Sequence, residues 1–243
     1  MQDVREIQEI VEKMDGWLSF AEGSFLYNAA RNASGRGAVV EIGSWKGKST
    51  IWLANGLKDG KGGRVYAIDP HTGAPEHHEI FKTKNIWTFD EFKKNIKAAG
   101  VEPFVSPIVD RSENVARDWK NPVAFLWIDG AHAYEAAILD FESWFPHLKE
   151  GGVIAYHDST FQDVRRVMKE KVFFSRNFKN VGVVDSVTHA TKVSPESQTF
   201  LDRARNMYVY LLSGLYGLRN IPIPSFIRTP AKAAFKKFVS ALQ

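Results

Sequence analysis

Several short apolar segments of the sequence end in residues that can bind a ligand or carry out chemistry. These residues are Gly43, Asp69, Asp110, Asp129 and Asp158. Short apolar segments bounded by turns are typical of buried parallel strands, and ligands bind beyond the carboxyl ends of such strands. We therefore expect these residues to share one edge of a sheet, where carboxylates can accept hydrogen bonds or hold a cation.

The first of these segments runs into a glycine-containing loop and then a helix, over V-E-I-G-S-W-K-G-K-S-T (40–50). Glycines let the backbone approach a ligand closely, and a helix start offers unpaired N–H groups. A dinucleotide site would have G-x-G-x-x-G, whereas Gly43 and Gly47 give G-x-x-x-G after acidic Glu41. An acidic residue beside the loop favours a cationic ligand over a pyrophosphate. A plain strand-to-helix turn is the alternative interpretation.

Asp69 adds a second element to this site, because it ends the strand that follows the loop along the chain. A carboxylate at this position can accept hydrogen bonds from both hydroxyls of a ribose. Many strands end in Asp, so this residue alone is a weak signal. Together with the glycine loop, it predicts a nucleoside site.

Two more strand ends predict a reaction centre. Asp129 and Asp158 could share one divalent cation such as Mg²⁺, which prefers hard oxygen ligands. His132, three residues after Asp129, is in reach as a general base, since histidine has an ordinary pKa of about 6.5. Three roles are open for His157: a further metal ligand, a second candidate general base, or a cap at the end of the strand. The alternative interpretations are purely structural: Asp129 would cap the end of a strand, and His132 would be a polar residue at the start of a helix.

Composition limits the class of protein. The chain of 243 residues contains no Cys, which excludes disulfides, thiolate zinc sites and cysteine nucleophiles. The N-terminus is charged from Asp3 onward, unlike a secretory signal, and the longest apolar run, 207–218, is too short for the roughly 20 residues of a membrane span. We expect a cytoplasmic protein, with peripheral contact to a membrane left open.

The charge of the chain is unevenly distributed. All 28 acidic residues lie within the first 202 residues, together with 25 of the 32 basic residues. This main body is therefore not a basic nucleic-acid binder.

Apolar periodicity predicts alternating strands and helices, which is typical of a doubly wound α/β fold with a parallel sheet. Helices are predicted over 3–15, 22–33, 48–58, 89–99, 111–119, 134–148 and 161–171, and strands over 38–43, 64–69, 104–109, 123–129 and 151–158. Segments 181–187 and 207–212 are predicted to form a final antiparallel pair of strands. A polar loop with His71, His77 and His78 is predicted to run to about residue 87, and a solvated loop is favoured there over a metal site.

The motifs in combination resemble those of the class I methyltransferases. They are E-I-G-S-x-x-G-x-S-T, I-D-P, F-L-W-I-D-G-A-H-A-Y-E and D-x-x-x-W-x-P-x-L-K-x-G-G-V-I-A-Y-H-D, within about residues 15–175. The pattern is most similar to bacterial enzymes grouped with macrolide-sugar O-methyltransferases, and more distantly to catechol O-methyltransferases. This resemblance implies a single-domain, seven-stranded, mostly parallel sheet of order 3-2-1-4-5-7-6, with the last strand antiparallel.

The resemblance also implies roles for individual residues. It places Glu41, Gly43, Ser44, Gly47 and Ser49 around the methionine end of S-adenosylmethionine, Asp69 at its ribose and Ser112 near its adenine. It implies that Asp129 binds a metal and that His132 is the base. The sequence departs from the pattern in having Asp110 where such enzymes have Gly, and His157-Asp158 where catechol enzymes have Asp-Asn.

The predicted function is therefore O-methylation of a hydroxylated small molecule such as a sugar or secondary metabolite, assisted by Mg²⁺ or another divalent cation. The predicted partners are the small-molecule acceptor and further copies in a homo-oligomer, with no nucleic acid. One alternative is an NAD-dependent dehydrogenase, which the missing third glycine and the lack of Tyr-x-x-x-Lys disfavour. The other is a non-catalytic, membrane-associated module with the cofactor fold.

The predicted organisation is an N-terminal helical cap over 1–34, the S-adenosylmethionine-binding domain over 35–213 and a basic amphipathic tail over 214–243. In the tail, Thr229-Pro230 favours a helix start. The side chains of Ala231, Ala234, Phe235, Phe238 and Leu242 then share one face. Packing of this face on protein is favoured over contact with an anionic membrane surface.

Overall fold

The computed structural model describes residues 3–217 and contains one seven-stranded sheet of order β3-β2-β1-β4-β5-β7-β6. The strands are β1 (Ala38–Ile42), β2 (Val65–Ile68), β3 (Val105–Ile108), β4 (Val123–Ile128), β5 (Leu148–Tyr156), β6 (Phe178–Val184) and β7 (Val187–Lys192). Neighbouring strands from β3 to β5 are parallel, and β7 is antiparallel to both β5 and β6. The predicted fold class and strand order are confirmed.

Helices cover both faces of the sheet. They are α1 (Val4–Val11), α2 (Phe20–Ala33), α3 (Lys48–Lys58), α4 (Pro75–Phe81), α5 (Phe89–Ala98), α6 (Ser112–Asp118), α7 (Tyr134–Trp144), α8 (Gln162–Met168) and α9 (Phe200–Gly217). A π-helical turn over Lys169–Phe173 extends α8. Within residues 3–217, no helix combines the length and apolar character that a membrane span requires.

The central strand β4 shows why the sheet is covered on both sides. All six of its residues, V-A-F-L-W-I, are buried, as expected for a parallel strand between two helical layers. Phe125 and Trp127 join the core beneath α1, α2, α3 and α5. Leu126 and Ile128 join the core beneath α7 and α8. This doubly covered sheet is the rigid support on which the strand-end residues stand.

The end of the sheet differs from the sequence prediction. Residues 207–212, predicted as a strand, belong to helix α9, and the partner of β6 is β7. The predicted strand 181–187 runs through a turn at Asp185, whose φ of 49° is left-handed, so β6 ends at Val184. M-Y-V-Y-L-L is rich in strand-favouring residues. It is helical because Asn206 and Ser213 are buried on one helical face, an arrangement that strand alternation would not give.

Two further boundaries differ from the prediction. The loop with three histidines contains helix α4, which begins at Pro75, a residue that favours the first helical turn. Helix α9 crosses the boundary predicted between residues 213 and 214 without a break. The predicted helix start at Thr229-Pro230 and the apolar face that follows it lie outside the described residues.

His189 on β7 makes the fold sensitive to acid. Its ring stacks on Phe25 at 4.8 Å, and its Nε2 atom is buried without a hydrogen-bond partner. Burial, followed by the charge of Arg205, lowers the pKa of His189 to about 4. The unfolded chain therefore binds more protons between about pH 6.5 and pH 4, so stability must fall as pH falls through that range.

We expect His189→Gln to remove this acid sensitivity. The wild type should lose about 3 kcal/mol more of its free energy of unfolding than the variant as pH falls from about 6.5 to 4, because its histidine must take up a proton on unfolding. Urea unfolding at a series of pH values measures the difference. Equal pH slopes for the two proteins would show that His189 does not titrate in this way.

Candidate active site

A cavity of about 430 Å³ lies where β1, β2, β4 and β5 end. This is the switch point of the sheet, between β1 and β4, where doubly wound folds bind their ligands. Its volume is in the range of small-molecule sites. The segment Gly16 to Leu18 and the stretch from Thr72 to His77 also line it. The cavity therefore has a floor of strand ends and walls from two loops.

The glycine loop after β1 has the geometry that its sequence predicts. Gly43 has φ 82°, and a Cβ on it would overlap the carbonyl oxygen of Asp129. Gly47 has φ 90° and precedes α3, which begins without a side-chain cap. Ser44 and Ser49 line the cavity, and the Ser44 Oγ atom is buried without a hydrogen-bond partner. An unpartnered hydroxyl and an uncapped helix start fit a polar ligand end at this place.

Glu41 lies behind this loop and does not line the cavity. Its carboxylate is fully buried and accepts hydrogen bonds from Ser49 Oγ and Thr50 Oγ1, each at 2.5 Å. Burial outweighs these bonds and raises its pKa to about 8. Glu41 thus holds the first turn of α3 in place from beneath the loop. Gly47, like Glu41, does not line the cavity.

Asp69 lines the cavity and holds two loops in place. Its Oδ2 atom accepts a hydrogen bond from the Trp45 N–H at 2.7 Å, and its Oδ1 atom from the His71 N–H at 2.6 Å. A carboxylate oxygen has two lone pairs, so both atoms can still accept from a ligand hydroxyl. Ser112 lines the cavity and donates to Asp140.

Three predicted reaction residues come together at the ends of β4 and β5. Asp129, His132 and Asp158 each offer a ligand atom, and these atoms lie within 4.8 Å of one another. His132 Nε2 is 3.4 Å from Asp158 Oδ2. Burial lowers the pKa of His132, but Asp158, Asp129 and Glu76 outweigh it and raise that pKa above its ordinary value. Two carboxylates and an imidazole at this spacing can hold a divalent cation.

His157 is clamped among three carboxylates. Its Nδ1 atom donates to Asp129 Oδ1 at 2.9 Å and lies 3.4 Å from Asp158 Oδ2, and its Nε2 atom lies 3.7 Å from Glu22 Oε2. Burial lowers the pKa of His157, but these neighbours outweigh it and raise the pKa to about 11. His157 is therefore a buried imidazolium whose two nitrogens both face anions. This arrangement suits a residue that orients Asp129 rather than a metal ligand or a base.

Glu22 reaches the cluster through its contact with His157, which sequence analysis missed. It forms a capping box with Ser19 at the start of α2, and its Oε1 atom accepts from the N–H and the hydroxyl of Ser186. Burial raises its pKa, but the nearby charge of His157 and hydrogen bonds from Ser186 and Ser19 hold that pKa at about 2. The S-x-x-E pattern at 19–22 indicates a helix start. It gives no sign of the contact with His157.

Side chains from the wall over 70–88 reach the same cluster. Glu76 Oε1 accepts a hydrogen bond from the His132 N–H at 3.2 Å and lies 3.7 Å from His132 Nδ1. His77 stacks between two tryptophans, 4.1 Å from the Trp45 ring and 5.7 Å from the Trp17 ring. Sequence analysis gave none of these three aromatic residues a role. Their stack joins the N-terminal segment, α4 and the glycine loop over one side of the cavity.

The comparisons with known proteins agree with this geometry. Residues 40–159 match the model of a family described as a methyltransferase domain. Residues 40–159 are therefore similar to a methyltransferase domain. The match begins in β1 and ends just after Asp158, so it includes the glycine loop and all three cluster residues.

Solved structures with the same fold as this chain include three O-methyltransferases. NovP is 15% identical with a TM-score of 0.61, over 72% of this chain and 81% of its own. TomG from Streptomyces achromogenes, in complex with SAM, is 19% identical with a TM-score of 0.56, over 80% and 92%. The Bacillus cereus enzyme, in complex with SAH, is 21% identical with a TM-score of 0.55, over 79% and 92%. At these identities the likeness shows the fold.

A curated relative of this chain is an uncharacterized protein of Acanthamoeba polyphaga mimivirus, 30% identical over 129 residues. The match covers 52% of this chain and 52% of the relative. The chain therefore spans about half the length of that protein.

Proposed function

We propose that this chain is an S-adenosylmethionine-dependent O-methyltransferase that acts on a hydroxyl group of a small molecule, assisted by a divalent cation. One observation carries the proposal. The cofactor-loop residues Ser44 and Asp69 and the cluster of Asp129, His132 and Asp158 line one cavity. A donor and an acceptor bound there would be held side by side, which is the main requirement of a bimolecular transfer.

The chain's own residues fit each end of the cofactor. The Ser44 hydroxyl and the first N–H groups of α3 face the site proposed for the methionine end, and the Asp69 carboxylate faces the site proposed for the ribose. Ser112 lies at the site proposed for the adenine. Glu41 and Gly47 act indirectly in this proposal, since they shape the loop from outside the cavity.

The reaction joins an acceptor oxygen to the methyl carbon as the carbon–sulfur bond breaks, and the hydroxyl proton must leave. We assign that proton to His132 Nε2, because His132 lines the cavity at the site proposed for the acceptor, with Nε2 3.4 Å from Asp158 Oδ2, a carboxylate that would stabilise the imidazolium. Asp129 and Asp158 would hold the cation. A bound divalent cation lowers the pKa of a hydroxyl that it contacts.

The names of the structural neighbours support the choice of oxygen as acceptor atom. NovP, TomG and the Bacillus cereus protein are each described as an O-methyltransferase. A sugar or another hydroxylated metabolite is the acceptor class that we propose.

Calorimetry and a turnover assay test this function. We expect the protein to bind S-adenosylhomocysteine and not NAD. We also expect it to release S-adenosylhomocysteine from S-adenosylmethionine when Mg²⁺ and hydroxylated acceptors are supplied. Tight binding of NAD without a response to S-adenosylhomocysteine would support a dehydrogenase. Binding of S-adenosylhomocysteine without turnover on any acceptor would support a non-catalytic module.

His132→Ala should lower kcat by at least about tenfold, because general-base catalysis contributes about 10²–10⁴ in rate. Its affinity for S-adenosylhomocysteine should stay nearly unchanged, as expected of a group that acts mainly in the transition state. His78→Ala is the matched control, since His78 bonds to the Thr83 carbonyl and does not line the cavity. Full kcat in the His132 variant would show that His132 is not the base.

A further inference from the structure

Helix α9 lies against the outer strand β6 and has one clearly buried face. Asn206 is fully buried, and its Nδ2 atom donates to the Phe178 carbonyl at 2.8 Å. Ser213 is buried two turns later and accepts a hydrogen bond from Arg165. These contacts fix the rotation of α9 about its axis, and therefore determine which residues face outward.

The outward face of α9 is apolar, and we call it the outer stripe. It consists of Phe200, Leu201, Ala204, Met207 and Leu211. The exposed fractions are 81% for Phe200, 76% for Leu201, 40% for Met207 and 61% for Leu211. Helical spacing places these residues on one side over three turns. Scattered apolar residues are normal on a protein surface, but a continuous row of this kind marks an interaction site.

Basic residues border the outer stripe. Arg203 and Arg205 lie on either side of it by helical spacing. Beyond α9 the sequence adds Arg219, Arg228, Lys232, Lys236 and Lys237, with no acidic residue after Asp202. The surface that presents the stripe is therefore connected to the most basic part of a chain whose first 202 residues carry a net negative charge.

We propose that the outer stripe of α9 docks on an anionic lipid surface. An apolar helix face with arginines along its borders suits the interface of a bilayer, where apolar side chains enter the acyl boundary and basic groups meet anionic headgroups. A second copy of this chain fits less well. Stripe-to-stripe packing would bring the bordering arginines of both copies together, and like charges in contact oppose association.

Vesicle sedimentation of the full-length protein tests this proposal. We expect binding to vesicles of phosphatidylcholine with phosphatidylglycerol, weaker binding to phosphatidylcholine alone, and weakening by added salt, since salt screens exposed charges. The double variant Leu201→Glu, Leu211→Glu should reduce the partition coefficient by at least about tenfold, because it removes two apolar anchors and adds two anions. Both residues are exposed, so the fold should tolerate the changes.

Ile80→Glu is the matched control, because Ile80 is 59% exposed on a different helix. It should bind anionic vesicles as the wild type does. Three results would overturn the proposal. They are no binding of the wild type to anionic vesicles, equal binding of the double variant, and a wild-type dimer in sedimentation velocity that the double variant dissociates. The last result would assign the stripe to a second copy.

Discussion

Asp69→Ala is expected to lower the affinity for S-adenosylhomocysteine by about a hundredfold. In the proposed complex the carboxylate accepts hydrogen bonds from ribose hydroxyls, and bonds to a charged group contribute about 1.5–3 kcal/mol each. The same change frees the Trp45 and His71 N–H groups, which Asp69 now holds. The loss of ligand contacts and the loss of loop order should both lower the affinity for S-adenosylhomocysteine. Isothermal titration calorimetry measures the affinity.

Asp110→Ala is the control for this prediction. Asp110 follows the neighbouring strand β3, but it lies outside the cavity and accepts hydrogen bonds from Arg111 and Asn114 close by in the chain. Its variant should bind S-adenosylhomocysteine like the wild type. Equal losses in the two variants would point to general damage at the sheet edge, and no loss in Asp69→Ala would remove Asp69 from the cofactor site.

Asp129→Asn is expected to weaken Mn²⁺ binding by at least about a hundredfold and to reduce methyl transfer in parallel. The variant loses the negative charge of a proposed ligand, and it also removes one of the three anions that contact His157. Changes in groups that only support a ligand already cost tenfold to a hundredfold in metal affinity. Electron paramagnetic resonance of free Mn²⁺ gives the affinity without any acceptor.

Asp163→Asn provides the comparison, since Asp163 is an exposed carboxylate on α8 outside the cavity. It should leave Mn²⁺ binding unchanged. If Asp129→Asn binds Mn²⁺ as the wild type does, the cation site is elsewhere or absent. If wild type and variant both fail to bind Mn²⁺ but still transfer methyl groups, the proposed transferase works without a cation.

The sheet edge was predictable because it depends on local pattern. Apolar segments that end in Gly43, Asp69, Asp129 and Asp158 indicate parallel strands, and parallel strands place their carboxyl ends together. The resemblance to methyltransferases added the strand order, which depends on long-range pairing that periodicity does not encode. Sequence and structure therefore agree at the floor of the cavity.

The walls of the cavity were not predictable in the same way. The contacts of Glu22 with His157 and of Glu76 with His132 join residues far apart in the chain, and each glutamate is a common helical residue without a motif for this role. The prediction for the end of the sheet was wrong for a related reason. Strand propensity favoured 207–212, but packing of Asn206 against β6 decided the outcome.

The clamp on His157 links the first helices to the reaction centre. Asp129, His157, Glu22 and Ser186 form one continuous chain of contacts, so a ligand that orders Asp129 should also steady the start of α2. Slower amide hydrogen exchange near Ser19 on ligand binding would report this coupling. Because such coupling is reciprocal, a change that loosens the start of α2 should also weaken binding of that ligand, although no residue of α2 lines the cavity.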